Sequence, residues 1–466
     1  MRVPEAPPKT SARSSASSPS EAGRSRSAQI AGAEPSRNKG RSAPGQSRST
    51  PFACRRLSTS GLRRYIIPPL GVVDSEQSPS IDEYSTPIVG SSGSDIRRQW
   101  PVDEWVADVA ASGLPSSRRL DSLVVHRFAW TEFLAACEEN RVLGLLAEAL
   151  RAGACHLPDY QRESVESRCG WWLAHDLVVE RQLLRVAGVL QGAGVEFRVL
   201  KGVALANSVY RDPSLRLFGD IDLAVDSDHF VRAAEAIAAA LSAVRELPEL
   251  RPGFDQRFGR EILLRSDGTE VDLHRTLVDG PFGLWIPLDD LFAEKRTFLL
   301  GGQQLPRLGD PARFVHACMA AVLGDWPPRR IAQRDIAELL LGGERAGTLE
   351  AAPVQELAAR WRATAVVALA IRMTVADLGL ETDHPLIDWA QGHRPGPGDR
   401  LLLASYRGRA RGYTSQALSV FALPSWRDRF DYVRAILRPS REYLDARGFR
   451  RGDRLRRAVG LRAVQR

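Results

Sequence analysis

The chain has 466 residues, 44% hydrophobic and 26% charged, an ordinary balance for a soluble protein with a sizeable core. No apolar run reaches the roughly 18 to 20 residues of a membrane span; the best candidate, 364–378, is cut by Arg372 and Asp377, so no membrane partner is expected. The net charge of +8 is uneven, with 13 basic and 3 acidic residues in 1–64 against 51 and 53 in the rest, so nucleic acid is left open as a partner but not favoured.

Residues 1–100 are rich in Ser, Pro, Gly, Ala and Arg and show no sustained hydrophobic period. Such a segment buries too little surface to offset its ordering entropy, so a disordered basic tail is expected. It lacks the apolar core of a secretory signal. The five cysteines (Cys54, Cys137, Cys155, Cys169, Cys318) are odd in number, widely spaced and form no C-x-x-C pair, which fits a reduced, cytoplasmic setting. Cys137 and Cys318 lie on apolar helical patterns and are expected to pack in the core. Arginine outnumbers lysine sixty to four, as a GC-rich bacterial genome would dictate; a lysine inside a motif therefore draws attention.

Residues 101–194 read as an N-terminal helical segment. Its longest piece, from Pro158 to about Gln191, places Trp172, Val179, Leu183, Val186 and Leu190 at helical spacing and stops at "GAG", 192–194. The period then changes. Residues 195–200 read as a strand, Lys201 and Gly202 as a turn, 203–210 as a helix, 221–225 as a second strand and 229–244 as a helix. Two further runs, 260–266 and 269–277, form a hairpin around Asp267 and Gly268. Residues 195–300 are thus expected to be a small mixed α/β (α+β) sheet domain.

From 301 to 445 the chain reads as a helical domain, with a Pro/Gly linker at 392–399. Near its end Trp426, Phe430, Val433 and Leu437 recur at steps of four, three and four. Trp171, Trp172, Trp326 and Trp426 sit beside aliphatics at helical spacing, so core packing is expected of them. Residues 446–466 form a basic C-terminal tail.

"RLFGDIDLAV", 216–225, sets two aspartates two apart in an otherwise apolar strand, so Asp220 and Asp222 share one face. Like charges that close are costly to bury unless a cation or donors neutralise them. "TEVDLHRTL", 269–277, alternates Val271 and Leu273 with Asp272 and His274, so a third carboxylate can meet the pair. Three carboxylates at a sheet edge are what two magnesium ions need when they hold a nucleoside triphosphate. "VLKGVAL", 199–205, offers a phosphate site: Gly202 for backbone approach, a helix start for its dipole and Lys201 for charge. Arg216 could present a guanidinium fork to a phosphate or, equally, form a surface salt bridge. Asp335, in "AQRDIAELL", could face the cleft from the helical region, but a helix-surface or capping role is the favourite.

"LKGVALANSVYRDPSLRLFGDIDLAV" followed by "EVDLHRTL" resembles the uncharacterised nucleotidyltransferase family of the polymerase beta-like nucleotidyltransferase superfamily. The likeness runs from about 130 to 445 and takes in "NRVLGLL" and "RPSREYL". It implies a magnesium-dependent transferase that moves a nucleoside monophosphate from an NTP such as ATP to an acceptor, releasing pyrophosphate. By motif position Asp220, Asp222 and Asp272 would hold the metals, with Asp272 also activating the acceptor hydroxyl, while Lys201 and Gly202 would meet the triphosphate. His274 could help bind nucleotide or acceptor, or simply hydrogen-bond within the sheet. The turn departs from the superfamily's usual Gly-Gly or Gly-Ser and lies seventeen residues from Asp220. A small-molecule acceptor is favoured; a toxin-like transferase acting on tRNA or protein, and a catalytically silent nucleotide-binding protein, are the alternatives.

Overall fold

The computed structural model describes residues 102–115, 120, 129–266, 268–342, 349–407 and 411–449, apart from the side chains of 411–413. The tail expected at 1–100, Cys54, the turn residue Asp267 and the basic stretch 450–466 lie outside the described residues. What is described belongs to one compact unit, 91–466.

Among the described residues four helices come first: α1 (Val102–Ala111), α2 (Trp130–Glu139), α3 (Leu143–Arg151) and the long α4 (Asp159–Gly192). Alternating elements follow: β1 (Phe197–Val199), α5 (Lys201–Ser208), β2 (Ile221–Val225), α6 (Phe230–Leu241), β3 (Val244–Arg245), α7 (Phe254–Arg257), β4 (Glu261–Ser266), β5 (Thr269–His274), α8 (Gly280–Trp285), β6 (Arg296–Leu300) and β7 (Gln303–Arg307). The rest is helical: α9 (Asp310–Leu323), α10 (Arg330–Leu341), α11 (Ala351–Arg360), α12 (Thr364–Leu378), α13 (Pro385–Gly392), α14 (Pro397–Ser405), α15 (Arg411–Ala422), α16 (Trp426–Leu437) and α17 (Arg441–Ala446). The mixed α/β class read from the sequence is the class observed. Among the described residues no helix is long and apolar enough to cross a membrane.

The strands form one seven-stranded sheet in the order β3-β4-β5-β2-β1-β7-β6. The β2–β5 and β1–β7 pairs run parallel and the others antiparallel. Alternation divides the central strands by face. Ile221, Leu223 and Val225 of β2, with Val271 and Leu273 of β5, join Val179, Leu183, Val186 and Leu190 of α4 and the inner residues of α6 in one apolar cluster. The residues between them therefore point to the opposite face, where Ala224 joins the core built with the C-terminal helices.

Two expectations are corrected. The sheet gains the hairpin β6–β7, whose two-glycine turn, Gly301 at φ 54° and Gly302 at φ 81°, is a hairpin signal left unread in the sequence. And of the four tryptophans only Trp172 is core: Trp171, Trp326 and Trp426 are exposed. On α16 the apolar stripe faces outward, with Trp426, Phe430 and Leu437 exposed, because Tyr432 and Ala435 supply the inner face. Cys137 and Cys318 are fully buried, as expected.

Candidate active site

The polar residues of β2 and β5 meet because the two strands are parallel neighbours in register, Asp222 opposite Asp272 and Ala224 opposite His274. Ligating atoms of Asp222, Asp272 and His274 lie within 4.8 Å of one another, and all three residues are buried. Asp220 is half-buried at the mouth of β2 and lies outside that group of atoms, yet its charge still acts on Asp272 and Lys201.

His274 Nε2 stands 2.9 Å from Asp222 Oδ1. An ionised carboxylate only accepts, so the imidazole N–H donates there. Its other ring nitrogen, Nδ1, faces Glu261 Oε2 on β4 at 3.5 Å. Arg260 in turn donates to Glu261 and lies 3.6 Å from Asp279.

Lys201 reaches the same carboxylate, Nζ to Asp222 Oδ1 at 3.2 Å. The seventeen-residue separation in sequence disappears in three dimensions because β1 and β2 pair antiparallel and the Leu200 N–H donates to the Asp222 carbonyl at 2.9 Å. The next residue, Gly202, has φ 23° and ψ −105°, a conformation closed to other side chains, which breaks α5 just after the lysine.

The electrostatics separate the two aspartates. Burial pushes the Asp222 carboxyl up, but Lys201 and the His274 hydrogen bond outweigh it and hold Asp222 far below the usual range. For Asp272 burial comes first and the Asp222, Glu261 and Asp220 charges add to it, so its carboxyl is held well above that range. Burial also works against the Lys201 ammonium, but Asp222 and Asp220 prevail and raise its pKa. A residue the sequence reading missed, His316 on α9, is buried on the same side; desolvation, then Lys201 and His274, push its imidazole down to about 3, so it is neutral. On an apolar helix pattern nothing marked it.

Arg216 and Asp335 take other places than expected. The guanidinium fork meets Asp335 rather than open space, Nε to Oδ1 at 2.9 Å and Nη2 to Oδ2 at 3.0 Å, while Nη1 donates to the Leu217 carbonyl. Tyr210 donates to Asp335 Oδ1 at 2.7 Å. Asp335 is thus neither a surface nor a capping residue; it is buried and ties α10 to the segment before β2.

The motif "NRVLGLL", part of the resemblance but given no role there, has one in the structure. Asn140 Oδ1 accepts the Arg330 N–H at the start of α10. The Arg141 guanidinium lies over the Trp172 ring, 4.3 Å from its centroid, and packs against Gly219. Gly144 lets α3 meet the backbone of Ser214 and Leu215, since a Cβ there would lie 2.2 Å from the Ser214 carbonyl oxygen. Beside them Asp176 of α4 accepts the Phe218 N–H at 3.2 Å; burial pushes its carboxyl up to about 8. These contacts fix the segment 214–219 that delivers the aspartates.

No curated protein matches this chain in sequence. Two solved structures are similar to part of it: the solution structure of the antibiotic-resistance factor ANT(2'')-Ia, 17% identical over 40% of this chain and 92% of its own with a TM-score of 0.28, and an antigenic nucleotidyltransferase-like protein from Paracoccidioides brasiliensis, 16% identical over 44% and 92% with a TM-score of 0.25. Likenesses at that level decide nothing about substrate. The model of an uncharacterised nucleotidyltransferase family matches residues 126–379, more than half of the chain and the whole of the sheet with its buried carboxylates. The protein belongs to that family and is by membership a nucleotidyl-transferring enzyme.

Proposed function

We propose that the protein is a magnesium-dependent enzyme that transfers a nucleoside monophosphate from an NTP to the hydroxyl of a small-molecule acceptor and releases pyrophosphate. One observation carries this reading: Asp222 and Asp272 stand side by side on parallel strands, with His274 at ligating distance and Lys201 on the first carboxylate. The donor set fits a divalent cation, since two buried carboxylates of which one is forced toward its protonated state are an oxygen-rich, charge-deficient environment. Asp222 and Asp272 would hold the metal, and Asp220 at the strand mouth, by its place in the motif, would add an oxygen. Bound there, magnesium supplies positive charge against the carboxylates, the triphosphate and the developing charge of the transition state.

The chain's own groups account for the rest. Lys201 places an ammonium, and Gly202 an open backbone, where the triphosphate would lie. The acceptor oxygen bonds to the α-phosphorus as the α–β bridging P–O bond breaks, and the bonding pair leaves with pyrophosphate. The hydroxyl proton passes to the Asp272 carboxylate. The His274 bond to Asp222 fixes that carboxylate's orientation, and neutral His316 adds no competing charge. Positioning and charge neutralisation dominate such transfers.

Asp222→Ala tests the reading. Incorporation of label from α-labelled NTP should fall on the order of 10²-fold or more, with the melting profile still cooperative. Retained incorporation by a folded variant removes the metal-holding role.

A further inference from the structure

On the same face of the sheet as the carboxylates, one strand beyond β5, lies a cavity of about 250 Å³ between β4 and the C-terminal helices α15, α16 and α17. Glu261 joins the two places: it lines the cavity and its Oε2 is the carboxylate oxygen 3.5 Å from His274 Nδ1. Arg260 and Asp279 line it as well. We propose, resting on the nucleotidyl-transfer reading above, that this cavity seats the acceptor, and that the acceptor is a small hydroxyl-bearing ring with an apolar face, a sugar or cyclic polyol.

The sheet order supplies the first argument. In-line displacement puts the attacking oxygen and the departing pyrophosphate on opposite sides of the α-phosphorus. Lys201, which follows β1, marks the phosphate side of Asp222. In the order β4-β5-β2-β1, the strand on the far side of the Asp222–Asp272 pair is β4, which carries Glu261 and Leu263 into the cavity. The nucleophile therefore comes from the cavity.

The lining supplies the second. Its three arginines face four carboxylates, with Arg245 paired with Asp255, Arg260 with Glu261 and Asp279, and Arg447 lying over the Tyr443 ring. A wall so balanced does not attract a triphosphate or an RNA backbone, which need uncompensated positive charge. Against it lies an aromatic group, Phe254 stacked on Tyr432 at 5.7 Å and Phe258 edge-on to Tyr432 at 5.5 Å, with Ile436 among the lining residues on α16 and Leu263 on β4. Apolar rings facing fixed, paired polar groups suit a molecule with C–H on one side and hydroxyls on the other. At this volume the cavity takes one small ring.

In the reaction one ring hydroxyl bonds to the α-phosphorus, its proton passes to Asp272, and the bond to the leaving pyrophosphate breaks with its electron pair.

The test uses the full chain with α-labelled NTP, magnesium and a panel of glucose, glucosamine and inositol, beside purified tRNA and a protein extract. Label should enter a member of the small-molecule panel. In Ile436→Trp, which fills the cavity, the KM for that acceptor should rise roughly tenfold or more, while the dissociation constant of magnesium–NTP stays within about twofold; Leu263→Trp fills it from the opposite wall should the first variant fail to melt cooperatively. Label entering tRNA or protein instead, an unchanged acceptor KM, or nucleotide affinity that falls in step with it overturns the proposal. Should the wild type bind magnesium–NTP yet release no pyrophosphate with any acceptor, the transfer reading fails by itself. Saturation-transfer NMR with the same three sugars then judges the cavity: binding lost in Ile436→Trp supports it, and no binding to the wild type sinks it.

Discussion

Two buried charge clusters grow from one ten-residue stretch, and they are built on opposite terms. Arg216 and Asp335 match donor to acceptor, two guanidinium N–H groups on two carboxylate oxygens with Tyr210 completing the set. Six residues later Asp222 gathers Lys201 and His274 on a single oxygen while Asp272 beside it is crowded by four negative neighbours. The first cluster is closed and holds the helices to the sheet. The second has more carboxylate than cation, a state that folding alone would not favour and that a divalent ion would correct. Burial of charge by itself therefore does not mark a functional site; the imbalance does.

The largest effect expected is on the closed cluster. Arg216→Met leaves Asp335 buried without its partner and should lower the urea-extrapolated stability by about 4 kcal/mol, and adding Asp335→Leu should recover more than half of that. A loss below about 1 kcal/mol for the single variant would mean the two clusters do not differ as described.

Asp176 lies between the extremes, with one backbone donor and Arg141 and Arg216 nearby, yet burial prevails and takes its pKa from 3.8 to about 8. The folded chain then keeps a proton that the unfolded chain releases near pH 4. The contribution is full below that pH, declines as pH rises toward 8 and is constant above. Relative to Asp176→Asn, the wild type should lose on the order of a few kcal/mol across that window, read from denaturant melts at fixed pH; parallel profiles for the two proteins would refute the assignment.

The smallest effect sharpens the open cluster. Asp272→Asn removes a carboxyl that folding forces to keep its proton, so without added metal the variant should melt higher than the wild type near pH 8 while losing transfer. Its carboxyl is held high in the folded state, so the wild type's deficit grows with pH until that group ionises. A variant that melts lower would show that the cluster is already balanced.

Much of the centre was legible because it depends on alternation. Val271 and Leu273 against Asp272 and His274 fixed which residues face together, and β2 occupies the predicted residues 221–225. What sequence could not reveal depends on direction and distance. His316 is one of three charged or titratable polar residues on α9, with Asp310 and Arg313, and only the packing of that helix gives it a meaning. The stripe on α16 has a helical period, but period says that a helix has an apolar side and not which way it turns. Arg216 could be read as a fork; its partner, 119 residues away, could not.

The scarcity of lysine has a practical consequence. Beyond residue 39 the only side-chain amines are Lys201 and Lys295, the second exposed and the first surrounded by carboxylates that keep it protonated. An acylating reagent thus meets a fast amine and a slow one, and the slow one sits where the triphosphate is placed. The chain carries its own nearly background-free reporter of occupancy, readable by mass spectrometry without any engineered label.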